Sequence, residues 1–124
     1  MSYWSADDEI TADKLNQAGA NYSSYTPAGG ATATLDLSDS DYHAIQMPSG
    51  NITIALSNEV VGQIFSIAIK QDGTGSRTVT WFSGIAWTGG TAITLSTGAG
   101  KTDVLVFRCI AAGSYQGFIG GLNI

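Results

Sequence analysis

From Ala31 onward, apolar and polar side chains alternate with a period of two, and clusters of Gly, Pro, Asn, Asp and Ser interrupt the alternation every few residues. A period of two puts one face of an extended strand toward a core and the other toward water. Ile52, Ile54 and Leu56 share one face while Thr53, Ala55 and Ser57 share the other, and Phe65, Ile67 and Ile69 oppose Ser66, Ala68 and Lys70. The pattern predicts strands at Ala31–Leu37, Tyr42–Met47, Asn51–Ser57, Gln63–Gln71, Arg77–Trp81, Ala92–Leu95, Lys101–Ala111 and Ser114–Gly120. Short strands at that spacing predict an all-β fold, an antiparallel β-sandwich of jelly-roll-like type spanning residues 31–124.

One strand departs from simple alternation. In Lys101–Ala111, Leu105, Phe107 and Cys109 occupy one face, and Val104, Val106 and Ile110 occupy the other, interrupted only by Arg108. A strand that is apolar on both sides needs a partner on each. One is the facing sheet; the other is a neighbouring subunit, a loop of the same chain or the N-terminal appendage. Val104, Val106, Arg108 and Ile110 are therefore candidates for a subunit interface.

Residues 1–30 read differently. Asp7, Asp8, Glu9 and Asp13 gather beside the one helix-like window, in which Thr11 is placed as N-cap, Ile10 and Leu15 form a hydrophobic staple, and Gly19 ends the helix. A helix this short needs something to pack against. The Gly/Ser/Tyr/Pro stretch 19–30 has the composition of an extended connector.

Composition narrows the function. The chain has 124 residues, enough for one core plus an appendage, and 16 glycines but only 12% charged residues, a β-rich rather than helical balance. Its net charge is −5, and the cations Lys14, Lys70, Arg77, Lys101 and Arg108 are scattered, which argues against nucleic-acid binding. The start of the chain lacks the basic and apolar regions of a signal peptide, and no apolar run is long enough for a membrane helix. Synthesis in a cytoplasm without membrane insertion is the expectation.

Candidate chemistry is sparse. Gly98-Ala-Gly-Lys-Thr102 resembles the end of a phosphate-binding loop, but a strand follows it where that motif requires a helix, so it reads as a turn. His43 is the single histidine and Cys109 the single cysteine; neither has a partner in the pattern for catalysis or metal binding. Asp36, Asp39 and Asp41 lie within six residues of one another, yet lack the glycine and distal Glu of a calcium loop. No metal site or cofactor is assigned. Trp81 and Trp87 offer flat apolar faces with a polar N–H, suited either to stacking on a sugar or to a core, and the core is favoured. Glu59, Asp72 and Asp103 are the carboxylates that a polysaccharide hydrolase would have to bring together, and nothing in their spacing does so.

Four segments carry a resemblance: Gln71-Asp-Gly-Thr-Gly-Ser-Arg-Thr-Val-Thr-Trp81, Trp87-Thr-Gly-Gly-Thr91, Leu95-Ser-Thr-Gly-Ala-Gly-Lys-Thr-Asp-Val104 and Tyr115-Gln-Gly-Phe118. Together they resemble the small Gly/Thr-rich β-domain of tailed-bacteriophage tail-fibre, receptor-binding and virion-decoration proteins. Ile10-Thr-Ala-Asp-Lys-Leu-Asn16 is similar to the segment that begins many small phage fibre and attachment proteins. The resemblance implies a non-enzymatic structural protein of a virion, homotrimeric, docked to other virion proteins by its N-terminal segment through Trp4, Ile10 and Leu15 and displaying its β-domain outward. The connector is too short for a fibre shaft, which points to a short fibre or a head or tail decoration. The alternative it implies is a carbohydrate-binding receptor-recognition module of a phage tail, contacting host glycans through Trp81 or Trp87.

Overall fold

A computed structural model of the protein describes residues 22–124, and these are nearly all β. Nine strands run in chain order: β1 (Tyr22–Tyr25), β2 (Thr32–Asp36), β3 (Tyr42–Gln46), β4 (Ile52–Ser57), β5 (Ile64–Lys70), β6 (Val79–Thr80), β7 (Ile85–Trp87), β8 (Thr102–Ala111) and β9 (Ser114–Gly121). A 3-10 turn over Thr88–Gly90 follows β7. The strands form a six-stranded sheet in the order β1-β3-β5-β8-β9-β7 and a three-stranded sheet in the order β2-β4-β6.

The first six strands alternate between the sheets, and each of β1–β4 pairs in parallel with the strand two places on: Tyr22 lies opposite Tyr42, Thr32 opposite Thr53, Tyr42 opposite Ser66 and Ile52 opposite Val79. The chain therefore winds as a flattened coil. Parallel neighbours require a long crossover, and here the crossover from β1 to β3 is β2 itself, lying in the other sheet. Short loops thus suffice. After β6 the pattern changes: β8 adds antiparallel to β5, β9 folds back antiparallel on β8, and β7 joins the far edge parallel to β9.

The antiparallel arrangement expected from the sequence consequently holds only for β5, β8 and β9, and the sheets are mixed. A loop of five or so residues rich in Asp, Ser, Pro and Gly looks the same whether it turns the chain back within one sheet or carries it across to the other. Alternation reports which face is buried, not which strand lies alongside. Three further expectations change. Within the stretch read as a connector, Tyr22–Tyr25 forms β1, whose polar sequence suits an edge strand paired on one side. Ala92–Leu95 forms no strand, and Arg77–Trp81 supplies only the two residues of β6.

The core lies between the sheets. Ala33 and Leu35 of β2 and Ile52 and Ile54 of β4 meet Ile45 of β3, Phe65, Ile67 and Ile69 of β5, Leu105, Phe107 and Cys109 of β8 and Tyr115 of β9 in one buried cluster. Fully burying a branched aliphatic or aromatic side chain contributes about 1.5–3 kcal/mol, which makes this cluster the main stabilising feature. Across the six-stranded sheet, one row runs Phe65, Phe107, Gly117, Trp87. Glycine is required in that row: a Cβ at Gly117 would stand 2.9 Å from Cε3 of Trp87. The bare backbone lets the indole lie over it and reach Phe107, with ring centroids 5.7 Å apart.

Candidate functional site

Two of the segments that carry the resemblance, Gln71–Trp81 and Leu95–Val104, meet where β5 ends and β8 begins. Gln71, directly after β5, is buried, and its amide is fully used: Nε2 donates to the carbonyls of Arg77 (2.9 Å) and Ser96 (3.0 Å), and Oε1 accepts from the Arg77 amide (3.0 Å). Asp72 closes the same loop. It accepts from the amides of Thr74 and Gly75 and from the Arg77 guanidinium at 3.0 and 3.1 Å, and the Arg77 and Gly75 hydrogen bonds hold its carboxyl below the usual range. Gly75 adopts φ +80°, and a Cβ there would stand 2.3 Å from the Thr97 carbonyl oxygen. Asp103, buried on β8, accepts from the Ser96 amide and hydroxyl, both at 2.6 Å, and from the Asn123 amide at 2.9 Å. These residues hold the loops 71–78 and 95–101 to each other and to the end of the chain.

The remaining candidates resolve as follows. Gly98–Thr102 is a turn that leads into β8, closed by a 3.2 Å bond from the Lys101 amide to the Gly98 carbonyl. His43 is buried on β3 with Nε2 2.9 Å from the Ser40 carbonyl, and burial lowers its pKa. Cys109 is buried in the core, which raises its thiol pKa. Asp36 is occupied by Ser38 and Asn58, while Asp41 accepts from Gln63, so the acids of this turn face different partners. Among the described residues, no group of three or more His, Cys, Asp or Glu side chains is placed to hold a metal ion. Trp4, Ile10 and Leu15 lie outside the described residues.

Val104, Val106, Arg108 and Ile110 fall in one row on the outward face of β8. Val104 and Val106 are half-buried, Arg108 and Ile110 are exposed, and Arg108 donates to Oε1 of Gln116 across the sheet at 2.8 Å. Opposite Val106 stands the exposed Phe118, and opposite Arg108 the exposed Ile64. The row is thus part of a wider apolar face on the six-stranded sheet.

Trp81 and Trp87 are brought together, with centroids 5.5 Å apart and planes at 71°, inside an aromatic cluster that also contains Phe65, Phe82, Phe107 and Tyr115. Both are partly buried and pack against the core. Trp81 also lines an open cleft of about 470 Å³, together with Thr53–Leu56 of β4, Phe82, Ser83, Glu59, Gly113 and Tyr115. Oε2 of Glu59 accepts from the Gly113 amide at 2.7 Å and from the Tyr115 hydroxyl. These two bonds hold the Glu59 carboxyl below its usual range, while burial and the neighbouring carboxylate raise the pKa of Tyr115. Sequence reasoning named Glu59 only among carboxylates that a hydrolase would need to gather. The structure gives Glu59, Asp72 and Asp103 separate sets of partners. The Glu59–Tyr115 pair is separated by more than fifty residues, and no local pattern announces it.

Comparison with protein-family models, with curated proteins and with solved structures finds no match for the chain.

Proposed function

We propose that this chain is a non-enzymatic structural module of a tailed-phage virion: a short fibre, decoration or head or tail surface protein, docked to other virion proteins through Trp4, Ile10 and Leu15 and exposing its β-domain. The resemblance in sequence motivates the reading, and one observation supports it. The chemistry-bearing residues of the resembling segments, Gln71, Asp72, Arg77 and Asp103, are occupied by holding loops together. What these segments share is a scaffold, and the surface is left free for contacts. On this reading the two sheets are the layers of a β-sandwich, with the coil of β1–β6 in place of the antiparallel strands of a jelly roll, and residues 1–30 contain the attachment arm. Copies associate as a homotrimer through the outward row Val104, Val106, Arg108 and Ile110, where Ile64 and Phe118 extend the apolar area.

The test is a mass-spectrometric inventory of purified particles of the phage whose genome encodes the chain. The full chain is expected in stoichiometric amount, and a chain lacking residues 1–18 is expected to fold and to be missing from the particles. Absence of the full chain from the particles overturns the reading. A second reading, the carbohydrate-binding receptor-recognition module, draws support from the cleft beside Trp81; Trp87, which packs over Gly117, serves the scaffold in either case.

A further inference from the structure

The cleft exists because a sheet stops early. β6 pairs with β4 only at Ile52 with Val79 and Thr53 with Thr80. Continued in register, Trp81, Phe82 and Ser83 would lie opposite Ile54, Ala55 and Leu56. Instead Trp81 and Phe82 turn into the aromatic cluster, each within 6 Å of the Phe107 ring centroid, at 5.8 and 5.1 Å. The two strands splay, and the gap between them is the cleft, closed at its far end by Glu59, Gly113 and Tyr115.

The splay exposes polar groups at defined places. The Ile52 amide bonds to Thr78 on the β6 side, while the Thr53 amide bonds to Ala31 on the β2 side. Leu56, four residues after Ile52, belongs to the row facing β6, and β6 has already ended. Its amide and carbonyl therefore face the gap. Both hydrogen bonds to Glu59 use Oε2, so among the described residues Oε1 remains a spare acceptor. Thr53 and Ser83 add hydroxyls, and Trp81, Phe82 and Tyr115 add aromatic surface. Among the described residues, no Lys, Arg or His lines the cleft.

That combination selects a class of ligand. An anionic group would meet the Glu59 carboxylate with no cation to balance it. A strand-like peptide needs a longer run of alternating main-chain bonds, and on this side β4 offers the Ile54 carbonyl and the Leu56 amide and carbonyl before it ends at Ser57. A neutral, hydroxyl-rich molecule with an apolar ring face suits both the spare acceptors and the aromatic wall, and the volume lies within the usual range of about 300–1,000 Å³ for small-molecule sites. We infer that the cleft between β4 and Trp81–Ser83 binds a neutral sugar, with Glu59 and the Leu56 main chain as hydrogen-bonding groups and Trp81 as part of the apolar wall. This rests on the second reading above and specifies its site and ligand class.

The test applies the full chain to a glycan array of neutral hexose and N-acetylhexosamine oligosaccharides beside sialylated, sulfated and uronate-containing ones, with a peptide array alongside. Titration calorimetry then follows the best neutral glycan. Neutral glycans are expected to bind, Glu59→Gln to weaken them about tenfold, as loss of one charged hydrogen-bond partner does, and Ala55→Arg, which fills the cleft from a half-buried position, to weaken them at least tenfold. Ser83→Arg, at an exposed position on the opposite wall, makes the same test if Ala55→Arg does not fold. Glycan binding that both filling variants leave intact overturns the site while the carbohydrate reading survives. Binding of anionic glycans alone overturns the ligand class. Peptide binding without glycan binding, or no binding at all, overturns both the inference and the carbohydrate reading.

Discussion

Replacing Gln71 tests whether the Gln71–Trp81 segment is scaffold. In Gln71→Leu the side chain keeps nearly its length and loses three hydrogen bonds, leaving the Arg77 amide and the carbonyls of Arg77 and Ser96 without partners. Each buried polar group so orphaned costs about 1–3 kcal/mol. Because loops 71–78 and 95–101 can open partly to water, the expected loss is about 3 kcal/mol in all. Against a total stability of about 5–15 kcal/mol this is a large fraction. With a urea slope of about 1–3 kcal/mol per molar, the unfolding midpoint falls by about 1–3 M. Gln71→Glu retains the acceptor for the Arg77 amide but sets a carboxylate oxygen against two carbonyl oxygens. It is expected to cost more than Leu at pH 7 and to recover as the pH falls, since the protonated form donates to one of them. Gln46→Leu is the control, because the Gln46 amide makes only long contacts of 3.3–3.4 Å. A loss below about 1 kcal/mol for Gln71→Leu, or a Gln71→Glu variant as stable as wild type at pH 7, would refute the reasoning.

Three further predictions concern single positions. Gly84→Ala should destabilise by about 3 kcal/mol or more in the same urea assay, because Gly84 has φ +84° and a Cβ would stand 2.0 Å from the Gly113 carbonyl oxygen; a change under about 1 kcal/mol contradicts the geometry of this turn. His43, buried and with its pKa lowered chiefly by desolvation, must be charged on unfolding in acid. Its contribution is therefore full above the unfolded pKa of about 6.5 and is lost as pH falls below it, with a slope of up to about 1.4 kcal/mol per pH unit. Stability measured between pH 7 and 5 should show that slope in wild type and not in His43→Gln; equal slopes refute it. Trp87→Ala removes the ring that covers Gly117 and should cost about 3–5 kcal/mol, read by thermal unfolding; a stable variant would return Trp87 to the list of ligand contacts.

Much of the strand inventory was legible because burial on one side imposes alternation. Ala33 and Leu35, Ile52 and Ile54, and Phe65, Ile67 and Ile69 mark β2, β4 and β5 to within a residue or so of their ends. The weaker strands were illegible for the opposite reason. β1 lies at a sheet edge and is written in Tyr and Ser, and β7 is three residues long. Pairing was hidden as well, because a buried face tells a strand which side is inward and leaves open whether its neighbour is the next strand or the one after that. The cleft was the least visible feature. It depends on the early end of β6 and on the meeting of Glu59 with Tyr115 of a distant hairpin, both consequences of tertiary packing. The outward row on β8 was the reverse case: apolar residues on both faces of one strand marked it before its neighbours were known.

The native mass of the purified chain by light scattering tests the structural-module account most directly. The account predicts a particle of about 38 kDa, three times the 12.8 kDa chain, that falls to a monomer in Val106→Asp, whose substitution lies at the centre of the outward row on β8. A wild-type protein that stays at 12.8 kDa at micromolar concentration, with Val106→Asp equally monomeric and equally stable, would contradict it.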